Sequence, residues 1–243
     1  MWKVSFTQKP KLDKPLLIEG LPGVGNVAKI AADFLAEQVG AELCATFTSD
    51  QLHHAVFVND KNLVEPPVIE LYCKKRPKQQ DLLFLLGDVQ PFDEVGTLSL
   101  GEAVLKTFKQ FGGSQVVTLG GVATEQEPKQ PKVYCTGTQK KIVGEYAKLT
   151  GVTDNLYGVV GPIVGITGVL LGLAETKKIP AVTLLAETHA HPAALGVAGG
   201  KKLVDVLAKR LKMSINTGLL AESFELPKFV TNVKNPEENH YIG

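Results

Sequence analysis

Short apolar runs alternate along this chain with longer segments in which hydrophobic residues recur at helical spacing. Asp81-Leu-Leu-Phe-Leu-Leu-Gly-Asp88 is a continuous apolar run with polar ends, the pattern of a central parallel strand covered on both faces. Leu16-Leu-Ile18 is a shorter run ended by Gly20-Leu-Pro-Gly23, and the period from Val24 to Val39 is helical, so strand, turn and helix follow in order. Ala41 to Thr48 predicts a further strand. His54–Val58 and Val68–Tyr72 flank the turn signals Asn59-Asp60 and Pro66-Pro67, which predicts a hairpin.

Thr97 to Phe111 has an amphipathic helical pattern stopped at Gly112-Gly113, because glycine takes the left-handed cap without a Cβ clash. Strand Gln115–Gly120 follows, then a polar, proline-bearing surface loop from Thr124 to Pro131. Extended structure is expected at Val133–Thr136, a short helix at Lys140–Lys148, a strand at Leu156–Val160 leading into a glycine-bearing helix, a buried strand at Ala181–Ala186 and a closing helix at Lys201–Leu211. Strands alternating with helices predict an α/β fold, a three-layer α/β/α sandwich with a mostly parallel sheet. Beyond Pro227 the composition turns to Lys, Asn, Pro and Glu. We therefore expect one domain over residues 1–230 and a flexible C-terminal tail over 231–243.

Composition narrows the partners. With 243 residues the chain can bury a sizeable core, and a net charge of +1 supplies no overall field toward nucleic acid or an anionic membrane. The longest apolar stretch, Val159 to Ala174, is broken by glycines and Pro162 and is too short for a membrane helix. Charges in Met1 to Pro10 leave no apolar run of signal-peptide length. Cys44, Cys73 and Cys135 are odd in number and widely spaced, with no Cys-x-x-Cys; this argues against a disulfide framework and a zinc ribbon and favours a reducing cytoplasm.

Two glycine-punctuated segments carry the most information: Gly20-Leu-Pro-Gly-Val-Gly-Asn-Val-Ala-Lys29 and Gly161-Pro-Ile-Val-Gly-Ile-Thr-Gly-Val-Leu-Leu-Gly172. The first has the glycine spacing of a phosphate loop, Gly20 to Gly25, but Asn26 and Val27 stand where lysine and a magnesium-binding hydroxyl are required. Gly23-x-Gly25-x-x-Ala28 also fits the dinucleotide fingerprint, yet Glu42 begins the next strand where a ribose-binding acid should end it. A tight strand-to-helix turn is the favoured reading, and no cofactor is expected. In the second segment Gly161, Gly165, Gly168 and Gly172 recur at spacings of four and three, so on a helix they share a face suited to close backbone packing, internal in preference to intersubunit.

The second segment runs into Ile179-Pro-Ala-Val-Thr-Leu-Leu-Ala-Glu-Thr188 and then His191-Pro-Ala-Ala194. In that order these pieces resemble the proteasome assembly chaperone family, over most of residues 14 to 211 and most closely from Gly161 to Ala194. The resemblance implies a non-enzymatic, cytoplasmic, archaeal-type binding protein that takes 20S proteasome α-subunits or the α-ring as partner and associates with itself. It implies a structural motif of Gly20, Gly23, Gly25, Asn26, Gly161, Gly165, Gly168, Glu187 and Thr188. Members of this family can end in a hydrophobic residue, a tyrosine and any last residue. Here the end is His240-Tyr241-Ile242-Gly243, with tyrosine one position early, so Tyr241, Ile242 and Gly243 are the expected contact residues.

Two other constellations carry chemistry. Glu187, His189 and His191 alternate, which on an extended backbone puts a carboxylate and two imidazoles on one face, a divalent-metal pattern. Their place in a loop expected to end at Pro192, and the part of Glu187 in the motif that the resemblance implies, favour no metal. Ser49, Asp50, His53 and His54 hold the residue types of a hydrolase triad, without a nucleophile elbow. The alternative functions are therefore a small-molecule or nucleotide-binding α/β enzyme using the glycine turns, and a homo-oligomeric adaptor for another complex.

Overall fold

A computed structural model describes residues 2–52, 55–158, 160–189 and 195–223. The strands are β1 (Lys3–Phe6), β2 (Leu16–Glu19), β3 (Glu42–Thr48), β4 (Phe57–Val58), β5 (Val64–Glu65), β6 (Ile69–Lys74), β7 (Leu82–Gly87), β8 (Gln115–Thr124), β9 (Val133–Gly137), β10 (Val152–Thr153) and β11 (Ala181–His189). The helices are α1 (Val27–Gln38), α2 (Glu94–Gln110), α3 (Lys140–Ala147), α4 (Gly165–Thr176), α5 (Val197–Leu211) and α6 (Gly218–Ser223), with a 3-10 turn at Val24–Asn26 before α1.

Nine strands form one mixed sheet in the order β1-β3-β6-β7-β2-β8-β11-β9-β10. Its centre is parallel, as the continuous apolar runs require: β2 pairs in parallel with both β7 and β8, and β8 with β11. Antiparallel pairings extend it on both sides, through β6, β3 and β1 and through β9. Alternation along each strand divides the core. Leu16, Ile18, Val117 and Leu184 pack under α1, α3 and α5, while Leu17, Leu85 and Val116 pack under α2 and α4. The expected three-layer sandwich is the fold.

Several local expectations give way to tertiary pairing. Val68–Tyr72 does not close a hairpin with His54–Val58: Phe57–Val58 pairs with Val64–Glu65 in a separate two-stranded ribbon, and Ile69–Lys74 lies between β3 and β7. Of the strand expected at Leu156–Val160, the described residues 156–158 and 160 lie in no strand; a two-residue strand at Val152–Thr153 pairs with β9 instead. Gly161 precedes α4 and lies outside it, because the helix begins only at Gly165, with Pro162 intervening. The edge strand β1 and helix α6 carry too few residues for periodicity to reveal them.

The cysteine reading is corrected as well. Cys44 and Cys73 form a disulfide across a sequence separation of 29, and Cys135 is a buried thiol. The two partners sit on adjacent antiparallel strands, with a register shift between Leu43 and Ala45 that falls at Cys44. Spacing in sequence carries no trace of that adjacency. Among the described residues no helix is long and apolar enough to cross a membrane.

Candidate functional site

Strands β8 and β11 end in register at Thr124 and His189, β2 stops earlier at Glu19 opposite Thr118, and the glycine segments meet beyond the end of β2. Gly20 follows β2 where a Cβ would lie 2.7 Å from the Ala28 carbonyl oxygen and collide with the Ala32 side chain. The strand end and α1 thus touch backbone to backbone. Gly25 and Asn26 both adopt left-handed backbone, φ 61° and 52°, which glycine and asparagine tolerate best. A Cβ on Gly25 would lie 2.5 Å from Thr188 Oγ1. The buried Thr188 at the end of β11 is thereby locked against the first glycine turn.

The second segment does not present a single packing face. Gly165, at φ 68°, abuts Gln90, and a Cβ on Gly168 would strike the Ile163 carbonyl oxygen. Around Gly161 and Gly172, and also Gly23, a Cβ would meet nothing. The close α2–α4 contact depends instead on Gly101 of α2, whose Cβ would lie 2.8 Å from Val169.

Gln90 joins the two glycine segments. Its Oε1 accepts a 3.0 Å bond from Ile166 N–H at the start of α4, and its Nε2 donates to the Pro22 carbonyl. The amide oxygen thus occupies the place at a helix N-terminus that an anion would take. The first turn is also internally bonded, by Asn26 N–H to Gly23 O and by Gly196 N–H to Gly25 O. Beside Gln90 lies a mainly apolar crevice of about 230 Å³, lined by Leu21, Val24, Leu119, Ile163 and Leu185.

Glu19 is the residue that sequence reasoning missed. It is fully buried, with Oε1 accepting from Leu21 N–H at 2.9 Å and Oε2 lying 3.2 Å from Thr167 Oγ1. Burial pushes its carboxyl up to about 7, against the opposing effect of the Leu21 and Thr167 bonds. When Glu19 is protonated it donates to Thr167, whose own hydroxyl proton then serves Leu119 O at 3.1 Å. Cross-strand register extends this polar row to Thr118, Thr183 and Thr136. Its one signal in the sequence is an acid closing the apolar run Leu16-Leu-Ile-Glu19.

The other proposed constellations have structural partners. Glu187 accepts from Tyr134 O–H at 2.8 Å and from Lys132 N–H at 3.0 Å, which ties β11 to β9. His191 lies outside the described residues, and among those described no three metal-ligating side chains converge. Ser49 donates to Asp50 at 3.1 Å; His53 and His54 lie outside the described residues, as do Tyr241, Ile242 and Gly243.

Exposed apolar side chains are distributed unevenly. Of twelve large ones among the described residues, all but Leu219 fall in segments at the carboxyl end of the sheet. The ribbon after β3 carries Val56, Phe57, Val58, Leu63 and Val64; the segment after β7 carries Phe92, Val95 and Leu98; the glycine segments and the approach to α4 carry Val24, Tyr157 and Val164. Tyr157 is fully exposed and Val164 is 74% exposed. Exposed apolar side chains gathered at one end are the kind of surface through which proteins engage partners.

The family model for the PAC2 family matches residues 17–226. The chain belongs to the PAC2 family. Its fold is similar to that of Pyrococcus furiosus PbaB, an archaeal proteasome activator, with a TM-score of 0.82 and 28% identity over 91% of this chain and 93% of that one. It also resembles Pyrococcus furiosus PbaA, an archaeal homolog of proteasome-assembly chaperone, with a TM-score of 0.74 and 22% identity over 90% of this chain and 86% of that one. An uncharacterized protein of Methanocaldococcus jannaschii is 29% identical over 93% of this chain and 86% of its own length. Within this chain Gly20, Gly25, Gly165 and Gly168 each stand where a Cβ would meet a neighbouring group.

Proposed function

We propose that this protein is a non-enzymatic, cytoplasmic binding protein that engages 20S proteasome α-subunits or the α-ring and assists proteasome assembly. The observation that carries this reading is the apolar carboxyl end, where Phe57, Phe92, Tyr157 and Val164 stand exposed beside glycine turns bonded internally through the Gln90 amide and the Gly23 and Gly25 carbonyls. Stabilising an on-pathway intermediate needs only preferential affinity for it, so binding without chemistry suffices. Self-association through the α/β body would display several C-terminal ends together and convert weak contacts of Tyr241, Ile242 and Gly243 into avidity.

The test is a pull-down of purified archaeal proteasome α-subunits by the full chain, by a chain lacking Tyr241 to Gly243, and by a Phe57→Ser/Phe92→Ser chain. Loss of capture on truncation assigns the contact to the C-terminal end; loss in the double variant assigns it to the apolar end of the body. No capture by the full chain overturns the reading. The similarity to PbaB, an archaeal proteasome activator, supports a second one: peptidase stimulation of mature 20S particles, without any effect on their assembly from free subunits, would favour activation.

A further inference from the structure

The opposite end of the sheet, where the parallel strands begin, differs in character. Four lysines there adopt left-handed backbone: Lys14 before β2, Lys78 in the turn before β7, Lys178 before β11 and Lys212 after α5, with φ between 43° and 63°. Glycine is the default at such positions and serves at Gly40 and Gly112, which follow α1 and α2 at the same end. Lys178 and Lys212 close α4 and α5, where a cation complements the helix dipole, and Lys178 pairs with Glu175 at 3.3 Å. Lys14 and Lys78 close no helix. Their left-handed backbone is held without that compensation.

These two lysines face one depression of about 610 Å³, together with Lys75 and Arg76. Its walls are held by the buried Asp81, whose carboxylate accepts from Asp13 N–H at 2.7 Å and from Arg76 N–H at 2.5 Å. Asp81 is thereby committed to fastening the two cationic loops together. Arg76 donates through Nη2 to Leu211 O at 2.7 Å, and its Nη1 is buried without a partner. Lys14, Lys75 and Lys78 are exposed, and none makes an ion pair among the described residues.

We propose that this depression is a docking site for a carboxylate-rich segment of a partner protein, held by Lys14, Lys75 and Lys78. Carboxylates suit it better than a nucleic-acid backbone for two reasons. The net charge of +1 gives no long-range field to gather an extended phosphate backbone. The large exposed aromatics, Phe57, Phe92 and Tyr157, stand at the other end, so no stacking platform accompanies the charge. This inference is independent of the proteasome reading.

The experiment is fluorescence anisotropy with a labelled decaglutamate peptide and the full chain at low ionic strength, beside a Lys14→Gly/Lys75→Gln/Lys78→Gly variant. We expect the variant to bind about tenfold or more weakly, since charge-assisted contacts are lost. Its unfolding temperature should be unchanged or higher, because glycine relaxes both left-handed positions. Equal affinity in the two chains, or no binding by the parent, overturns the proposal. Tighter binding of a single-stranded oligonucleotide of equal charge also overturns it, in favour of a nucleic-acid face.

Discussion

Glu19 and Thr167, separated by 148 residues, meet in the core at 3.2 Å, and this contact fastens the end of β2 to the first turn of α4. It makes the buried carboxyl part of the structure that holds both glycine segments in place. The same burial makes the fold sensitive to pH.

In the unfolded chain Glu19 titrates near 4.5, and in the folded protein near 7. The folded state therefore favours the protonated form, and the contribution is fully present below pH 4.5. It is lost as pH rises through 7. With about 1.4 kcal/mol per pH unit, the loss is about 3 kcal/mol. Glu19→Gln, which mimics the protonated shape, should flatten this part of the pH profile and unfold later than the parent in denaturant at pH 8. Parallel profiles from pH 4 to 9 would show that Glu19 is not the titrating group.

The glycines divide into required and dispensable ones. Gly168→Ala forces a Cβ into the Ile163 carbonyl and should cost about 2 kcal/mol or more, in the range of overpacked sites. Gly172→Ala, exposed on α4 with open space around it, should stabilise by up to about 1 kcal/mol through helix propensity. Thermal unfolding of the two variants checks both signs. Equal effects would remove the distinction.

The disulfide predicts a thiol count. Of three cysteines, only Cys135 should react with a thiol reagent after unfolding without reductant. In the folded state it should react slowly, since burial pushes its thiol up to about 11. Cys44→Ser/Cys73→Ser should lower stability by about 3 kcal/mol, the scale expected for a loop of this length. Three reactive thiols on unfolding would exclude the bond.

The exposed apolar end should be separable from the fold. Phe57→Ser and Phe92→Ser remove side chains that are about half exposed, so each should change unfolding free energy by no more than about 0.5 kcal/mol. Capture of α-subunits should nonetheless fall. A large loss of stability would mean that these rings support the body.

Much of the architecture was legible from periodicity. The run Leu82 to Leu86 is a central strand, and the amphipathic segment ending at Gln110 is a helix, because burial of one stripe or of both faces leaves a local mark. The site was legible only in part. Gly20, Gly25, Glu187 and Thr188 were visible as a motif, but their partners Ala32, Tyr134 and Gly196 were not, since each contact joins residues distant in the chain.

The sequence by itself determined most of the element types, the α/β class and the likeness to a family, through hydrophobic spacing and the order of its glycine segments. Tertiary structure alone decided which strands pair, that Cys44 meets Cys73, that Glu19 reaches Thr167, and that the exposed apolar side chains stand at the end opposite the left-handed Lys14 and Lys78. The physical reason is locality. Periodicity records what a residue does within its own strand or helix, whereas strand order and crossover direction bring distant segments together, and nothing in the spacing of one segment encodes its neighbour.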